Sequence, residues 1–129
     1  YQTDVVTDIS GFGLASHLGD ICKSSNLSAE ISLNDDILIN KNIDIIKKYQ
    51  SSGFENNQIA CTKDISIKQN HPLNNILYDP QTNGPLLLSI NKNNQYEFEK
   101  EFQSSLGFYP ILLGKFKRKD IKLINVLDS

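Results

Sequence analysis

The clearest pattern along the chain lies at residues 27–33, where Leu27, Ala29, Ile31 and Leu33 alternate with Ser28, Glu30 and Ser32. An extended backbone points successive side chains to opposite faces, so this period of two predicts a strand with one buried face. Upstream, the β-branched Val5 and Val6 lead into Thr7-Asp8-Ile9. Leu14, Leu18, Ile21 and Cys22 then follow at helical spacing behind Ser10, a residue suited to an N-cap. The pattern predicts a strand end, a glycine turn and a helix over 10–25. A second helix is expected over 42–52, with Ile43 and Ile46 inward and Gly53 as its stop. A third is expected over 93–106, because Phe98, Phe102 and Leu106 recur at i, i+4 and i+8 and Gly107 can end it. Its apolar face, between Glu97, Glu99, Lys100 and Glu101, is expected in the core.

The unbroken apolar run at 86–90 predicts a fully buried strand, entered through the turn signals Asp79-Pro80 and Asn83-Gly84-Pro85. Two further strands are expected over 109–116 and 121–126, joined by the basic turn Lys117-Arg118-Lys119. Periodicity is poor from 54 to 73, where Ile59, Ile65 and Ile67 suit short strands and His71-Pro72 marks an extended or turning segment. Helices and strands interleave without the regular spacing of a doubly wound fold. That favours an α+β domain with helices packed on a mixed β-sheet.

Length and composition narrow the function. A chain of 129 residues is one ordinary domain, and 39% hydrophobic residues supply a core without disulfides. Thirteen basic against 15 acidic residues leave a net charge of −2, which argues against nucleic acid as a partner. No apolar run approaches the roughly 18 residues of a membrane span, and no signal-peptide pattern opens the chain. A cytoplasmic protein with no membrane partner is expected. A motif that begins within a few residues of Tyr1 leads to the expectation of a domain cut from a longer chain. Cys22 belongs to the apolar stripe of the first helix and Cys61 is isolated, so neither a redox pair nor a zinc cluster can be built. His17 and His71 suit hydrogen-bonded or surface positions. The pairs Asn56-Asn57, Asn74-Asn75 and Asn93-Asn94 suit loop or surface positions, and Lys115 to Lys119 suits a solvated turn.

Two segments carry candidate chemistry. In Thr7-Asp8-Ile9-Ser10-Gly11-Phe12-Gly13 a carboxylate at a strand end precedes two glycines in the first turn of a helix. Free backbone N–H groups and the positive helix end attract phosphate there, and the missing Cβ atoms let it approach. A carboxylate beside a phosphate requires Mg²⁺ between them. The competing reading, a capped helix behind a tight glycine turn, fits the same residues. The second segment, Asp79-Pro80-Gln81-Thr82-Asn83-Gly84-Pro85, reads from its residues alone as a β-turn whose Asp and Asn bond their own backbone.

At these two segments the chain resembles a known family. It reads TDISGFGLASHL from Thr7 to Leu18 and DPQTNGPLLL from Asp79 to Leu88. The C-terminal domain of selenophosphate synthetase, or selenide, water dikinase, carries TDVTGFGLLGHL and DPQTSGGLLL. Leu27-Ser28-Ala29-Glu30-Ile31 resembles the family's strand after the first helix, so the similarity runs in order from about Thr3 to Ile90 and on to Gly114. Aminoimidazole ribonucleotide synthase, thiamine-monophosphate kinase and the hydrogenase maturation dehydratase share the architecture with different signatures. The resemblance implies that residues 1–129 form a single domain with the fold of the aminoimidazole ribonucleotide synthase C-terminal domain. It also implies a two-domain parent that converts ATP, selenide and water to selenophosphate, AMP and phosphate.

In that family the nucleophile, an essential Lys and most metal-binding aspartates lie in the N-terminal ATP-binding domain. The resemblance thus implies no catalytic residue in this chain, an inactive isolated fragment, and as partner that N-terminal domain or a fused one. Carried over by position, Asp8 matches the metal-binding aspartate, with Thr7, Gly11 and Gly13 beside it at the Mg-ATP cleft. Pro85 stands for the second glycine of SGG, Asn83 for its serine, and residues 57–63 for the family's arginine-containing segment. Pro85 and the missing arginines favour a rival reading, a degenerate, non-catalytic packing or interaction module, while Asp8 favours the enzyme domain; a domain of another ATP-dependent enzyme of the same fold is a third reading.

Overall fold

A computed structural model of the chain describes residues 3–8, 13–33, 53–67, 77–78 and 86–127, and for residues 3–8 and 54 the backbone alone. The elements run β1 (Thr3–Asp8), α1 (Gly13–Ser25), β2 (Leu27–Ile31), α2 (Phe54–Cys61), a 3₁₀ turn (Thr62–Asp64), β3 (Ile65–Ser66), β4 (Leu86–Ile90), a second 3₁₀ turn (Lys92–Asn94), α3 (Gln95–Leu106), β5 (Gly114–Arg118) and β6 (Ile124–Val126). The expected α+β class is present. Four strands form a mixed sheet in the order β3-β6-β2-β5, in which β2 pairs antiparallel with β5 and parallel with β6, and β3 pairs parallel with β6. β1 and β4 form a separate antiparallel ribbon. Among the described residues no helix is long and apolar enough to cross a membrane.

The period of two at β2 and the helical spacing of α1 meet in one core. Leu14, Ala15, Leu18 and Cys22 share a stripe on α1, as residues one, four and eight positions apart do on a helix. Ala29, Ile31 and Leu33, on one face of β2 and just beyond it, are buried with them. Ile65, Leu77, Tyr78, Leu123, Ile124 and Val126 complete the cluster. Removing this apolar surface from water, at about 25 cal/mol per Å², is the main force that holds α1 on the sheet.

Several expectations need correction. Ser28, on the polar face of the β2 alternation, is fully buried because its hydroxyl ties down the β5–β6 connection: it donates to Lys122 O (2.9 Å) and accepts from Asp120 N (2.8 Å). Asn57 is not in a loop but on α2, buried, and Ile59, expected on a strand, is on the same helix with 70% of its surface exposed. β4 keeps its expected bounds but is not fully buried, since Leu86 is exposed and Leu87 to Ile90 are half-buried. α3 starts two residues later than expected, after a 3₁₀ turn in which the Asn91 side chain accepts from Asn93 N (2.9 Å). No residue of α3 is buried, so its apolar face is not part of the core. The strand expected over 109–116 occupies Gly114–Arg118, and that expected over 121–126 only Ile124–Val126. The helix expected over 42–52 and His71 lie outside the described residues.

Candidate functional site

β1 is extended because Thr3, Val5, Val6 and Thr7 are β-branched and suit a pleated strand. Its last two residues are Thr7 and Asp8, which pair with Leu87 and Leu86 of β4. Leu86 directly follows Asn83-Gly84-Pro85. The strand that ends in Thr7 and Asp8 and the strand that follows the second segment, far apart in sequence, therefore pair in one ladder.

A second contact joins the other ends of the two motifs. Gly13 opens α1 with φ +82°, a left-handed conformation that costs an L-residue about 1–2 kcal/mol. A Cβ built there would lie 3.0 Å from Leu77 O and 3.1 Å from the carbonyl carbon of Tyr78. Tyr78 immediately precedes Asp79-Pro80. Glycine at position 13 thus lets the start of α1 rest on the backbone that enters the second motif.

Tyr78 is the fixed point of this frame. Its carbonyl accepts from Asn57 Nδ2 (2.9 Å) and only 2% of its surface is exposed. Burial pushes its phenol above the ordinary range, with a hydrogen bond to Thr62 acting the other way. The residues 3₁₀-wound after α2 and the buried amide of Asn57 thereby fix where the second motif begins. Neither Asn57 nor Tyr78 was among the expected site residues. Tyr78 carried a signal, its place directly before Asp79-Pro80; Asn57, one of a pair of asparagines in a weakly periodic stretch, carried none.

Of the expected site residues, Thr7 and Asp8 end β1 and Gly13 begins α1, while Gly11 and residues 79–85 lie outside the described residues. The first turn of α1 has no acidic side chain, so its positive end is not neutralised from within. Asp8 alone does not make a metal site. Among the described residues no group of three or more His, Cys, Asp or Glu can hold a metal ion.

A shallow cavity of about 150 Å³ lies elsewhere, along α1 where it faces α2 and the 3₁₀ turn, and Ser16, Gly19, Asp20, Lys23, Cys61 and Asp64 are among its lining. Lys23 Nζ stands 3.9 Å from Asp64 Oδ2 across it. Burial, then the Asp64 carboxylate, pushes the Cys61 thiol up, so it is a protonated, weakly nucleophilic group at neutral pH. Burial does the same to Cys22, whose thiol faces Leu123 O at 3.6 Å within the core. The cavity is polar and roomy enough for water. Its lining on α1 runs from Ala15 to Lys23 and includes none of Gly13, Leu77, Tyr78 or Leu86.

No family model matches the chain. Its sequence is 31% identical over 130 residues to a selenide, water dikinase of Clostridioides difficile (strain 630), covering 98% of this chain and 37% of the relative. A selenide, water dikinase of Treponema denticola is 29% identical with the same two coverages. One of Haemophilus influenzae (strain 86-028NP) is 34% identical, covering 88% of this chain and 33% of the relative. The chain spans about a third of the length of the curated relatives it matches. The resemblance carried by the two motifs therefore extends over nearly the whole chain.

Proposed function

From its likeness to selenide, water dikinases along nearly its whole length, we propose that the chain is the C-terminal domain of such an enzyme and forms one wall of its Mg-ATP site. In this reading Asp8 supplies one carboxylate to the metal, and Thr7, Gly11 and Gly13 line the phosphate side. Magnesium, when bound, neutralises phosphate charge as the phosphoryl group is transferred. This chain's part is to hold Asp8 at a strand end, to keep the start of α1 free of carboxylates, and to fix both motifs against each other. The remaining metal ligands and the reacting groups come from an N-terminal ATP-binding domain, so the isolated domain is inactive.

The observation that supports this reading best is that both ends of the first segment meet the residues flanking the second, Asp8 pairing with Leu86 and Gly13 lying against Leu77 and Tyr78. Two segments without a shared task need not be joined at both ends. Their residues are also those in which the chain most resembles the family. The test is to incubate the complete protein that carries this domain, and separately the 129-residue chain, with Mg-ATP and selenide and to follow the phosphorus resonances. Selenophosphate is expected from the complete protein only. Its absence from both would assign the chain to a non-catalytic module, the reading that Pro85 and the missing arginines favour; its appearance with the 129-residue chain alone would contradict the division of labour.

A further inference from the structure

Among the described side chains of α2, the one that is buried is a polar one, Asn57, while Ile59 is exposed. A primary amide taken out of water is costly unless it is bonded, and an apolar residue of the same size would fill that space at less cost. The Asn57 amide makes one specific bond across the fold: Nδ2 donates to Tyr78 O at 2.9 Å. That oxygen belongs to the carbonyl whose carbon lies 3.1 Å from the Cβ position of Gly13. A side chain of α2 thus grips the group on which the first residue of α1 is seated. Tyr78 is held at its other end too, where its phenol shares a hydrogen bond with Thr62, the residue that closes α2.

We propose that Asn57 is a positioning residue for the phosphate-facing start of α1, acting through the Tyr78 peptide; the proposal rests on the Mg-ATP reading given above. The stripe of Leu14, Leu18 and Cys22 holds α1 on the sheet without Asn57. Burial of apolar surface is non-directional, however, and does not fix where the first turn comes to rest. The hydrogen bond to Tyr78 O and the close seat of Gly13 on the same carbonyl do fix it. The ion pair of Lys23 with Asp64 cannot take this part, because at 3.9 Å it lies in the last turn of α1 and its lysine is 61% exposed. Backbone N–H groups stabilise a transferring phosphoryl group only when held in place, and a misplacement of about 1 Å can cost about a hundredfold in rate.

Asn57→Leu in the complete protein that carries this chain removes the donor and keeps the volume. In protein made with ¹⁵N-labelled glycine, the Gly13 amide resonance should move while that of Gly19, further along α1, stays. Turnover with Mg-ATP and selenide should show kcat and kcat/KM falling together by about tenfold or more, with KM for ATP unchanged. Leu123→Ala, a core truncation in the β5–β6 connection, separates positioning from stability: it should lower the melting temperature and leave kcat unchanged below it. Should Asn57→Leu fail to fold, Asn57→Ala, which leaves room for a water at the carbonyl, is read in the same way and should show smaller changes of the same sign. A Gly13 resonance that stays in place, or a kcat no lower than that of Leu123→Ala, would overturn the proposal. Failure of the Mg-ATP reading shows differently, as no turnover in the unsubstituted protein, and the Gly13 resonance then still decides whether Asn57 sets the start of α1.

Discussion

At Gly13 two demands coincide, a left-handed backbone with φ +82° and a Cβ position already occupied by Leu77 O and Tyr78. Alanine can meet neither without movement. Gly13→Ala should therefore lower stability by about 2 kcal/mol or more, the left-handed backbone accounting for about 1–2 of it and the displaced contact for the rest. Urea denaturation of the two proteins measures the difference; an unchanged midpoint would show that α1 does not rest on Tyr78. Gly19 is the opposite case. It sits inside α1 with no positive φ, and a Cβ there would meet nothing within 4 Å. Gly19→Ala should raise stability by about 1 kcal/mol, the helix-propensity difference, with a higher urea midpoint as the readout. That Gly13 mattered was legible in its motif; that Gly19 does not was visible only once the space around it was known.

Among the elements, those whose pattern is set by the core were legible in the sequence. β2 alternates cleanly because one face covers α1, and α1 carries its stripe for the same reason. α2 was missed because Phe54–Cys61 has almost no amphipathic character, its helix being held through Asn57 and by contact with α1. The strand expected over 109–116 failed in its first half because apolar content without a sheet neighbour does not make a strand. The connection after β5 is stapled by polar groups, which no hydrophobic pattern can report. There Asp120 Oδ1 accepts from Ile121 N (2.7 Å) and Asp120 Oδ2 faces Lys117 Nζ (3.1 Å). The backbone bond, then Lys117, holds the Asp120 carboxyl below its ordinary 3.8. A lowered pKa stabilises the fold above the unfolded value, and that contribution is lost as pH falls through the folded one. The Ile121 amide resonance should accordingly titrate with a midpoint below 3.8. A midpoint at or above that value would mean that the staple is not formed.

For the whole molecule, the meeting of the two motifs was not legible in either of them. Their resemblance to a family marked both and gave the first a role, but only the β1–β4 ladder and the Gly13 contact bring the first beside the residues that flank the second, through long-range pairing that local patterns do not encode. In the proposed function Asp8, at the end of β1, serves a metal supplied with ATP and not the stability of this domain. An aspartate placed for stability near a helix start contributes about 0.3–1 kcal/mol through the dipole. A ligand awaiting a metal contributes nothing to the empty domain and adds negative charge beside a phosphate site. The direct measurement is Asp8→Asn, read twice: as the melting temperature of the 129-residue chain and as Mg-ATP-dependent turnover of the complete protein. An unchanged or slightly raised melting temperature is expected, together with turnover reduced by orders of magnitude. A clearly destabilised chain in a complete protein that keeps near-normal turnover would contradict it.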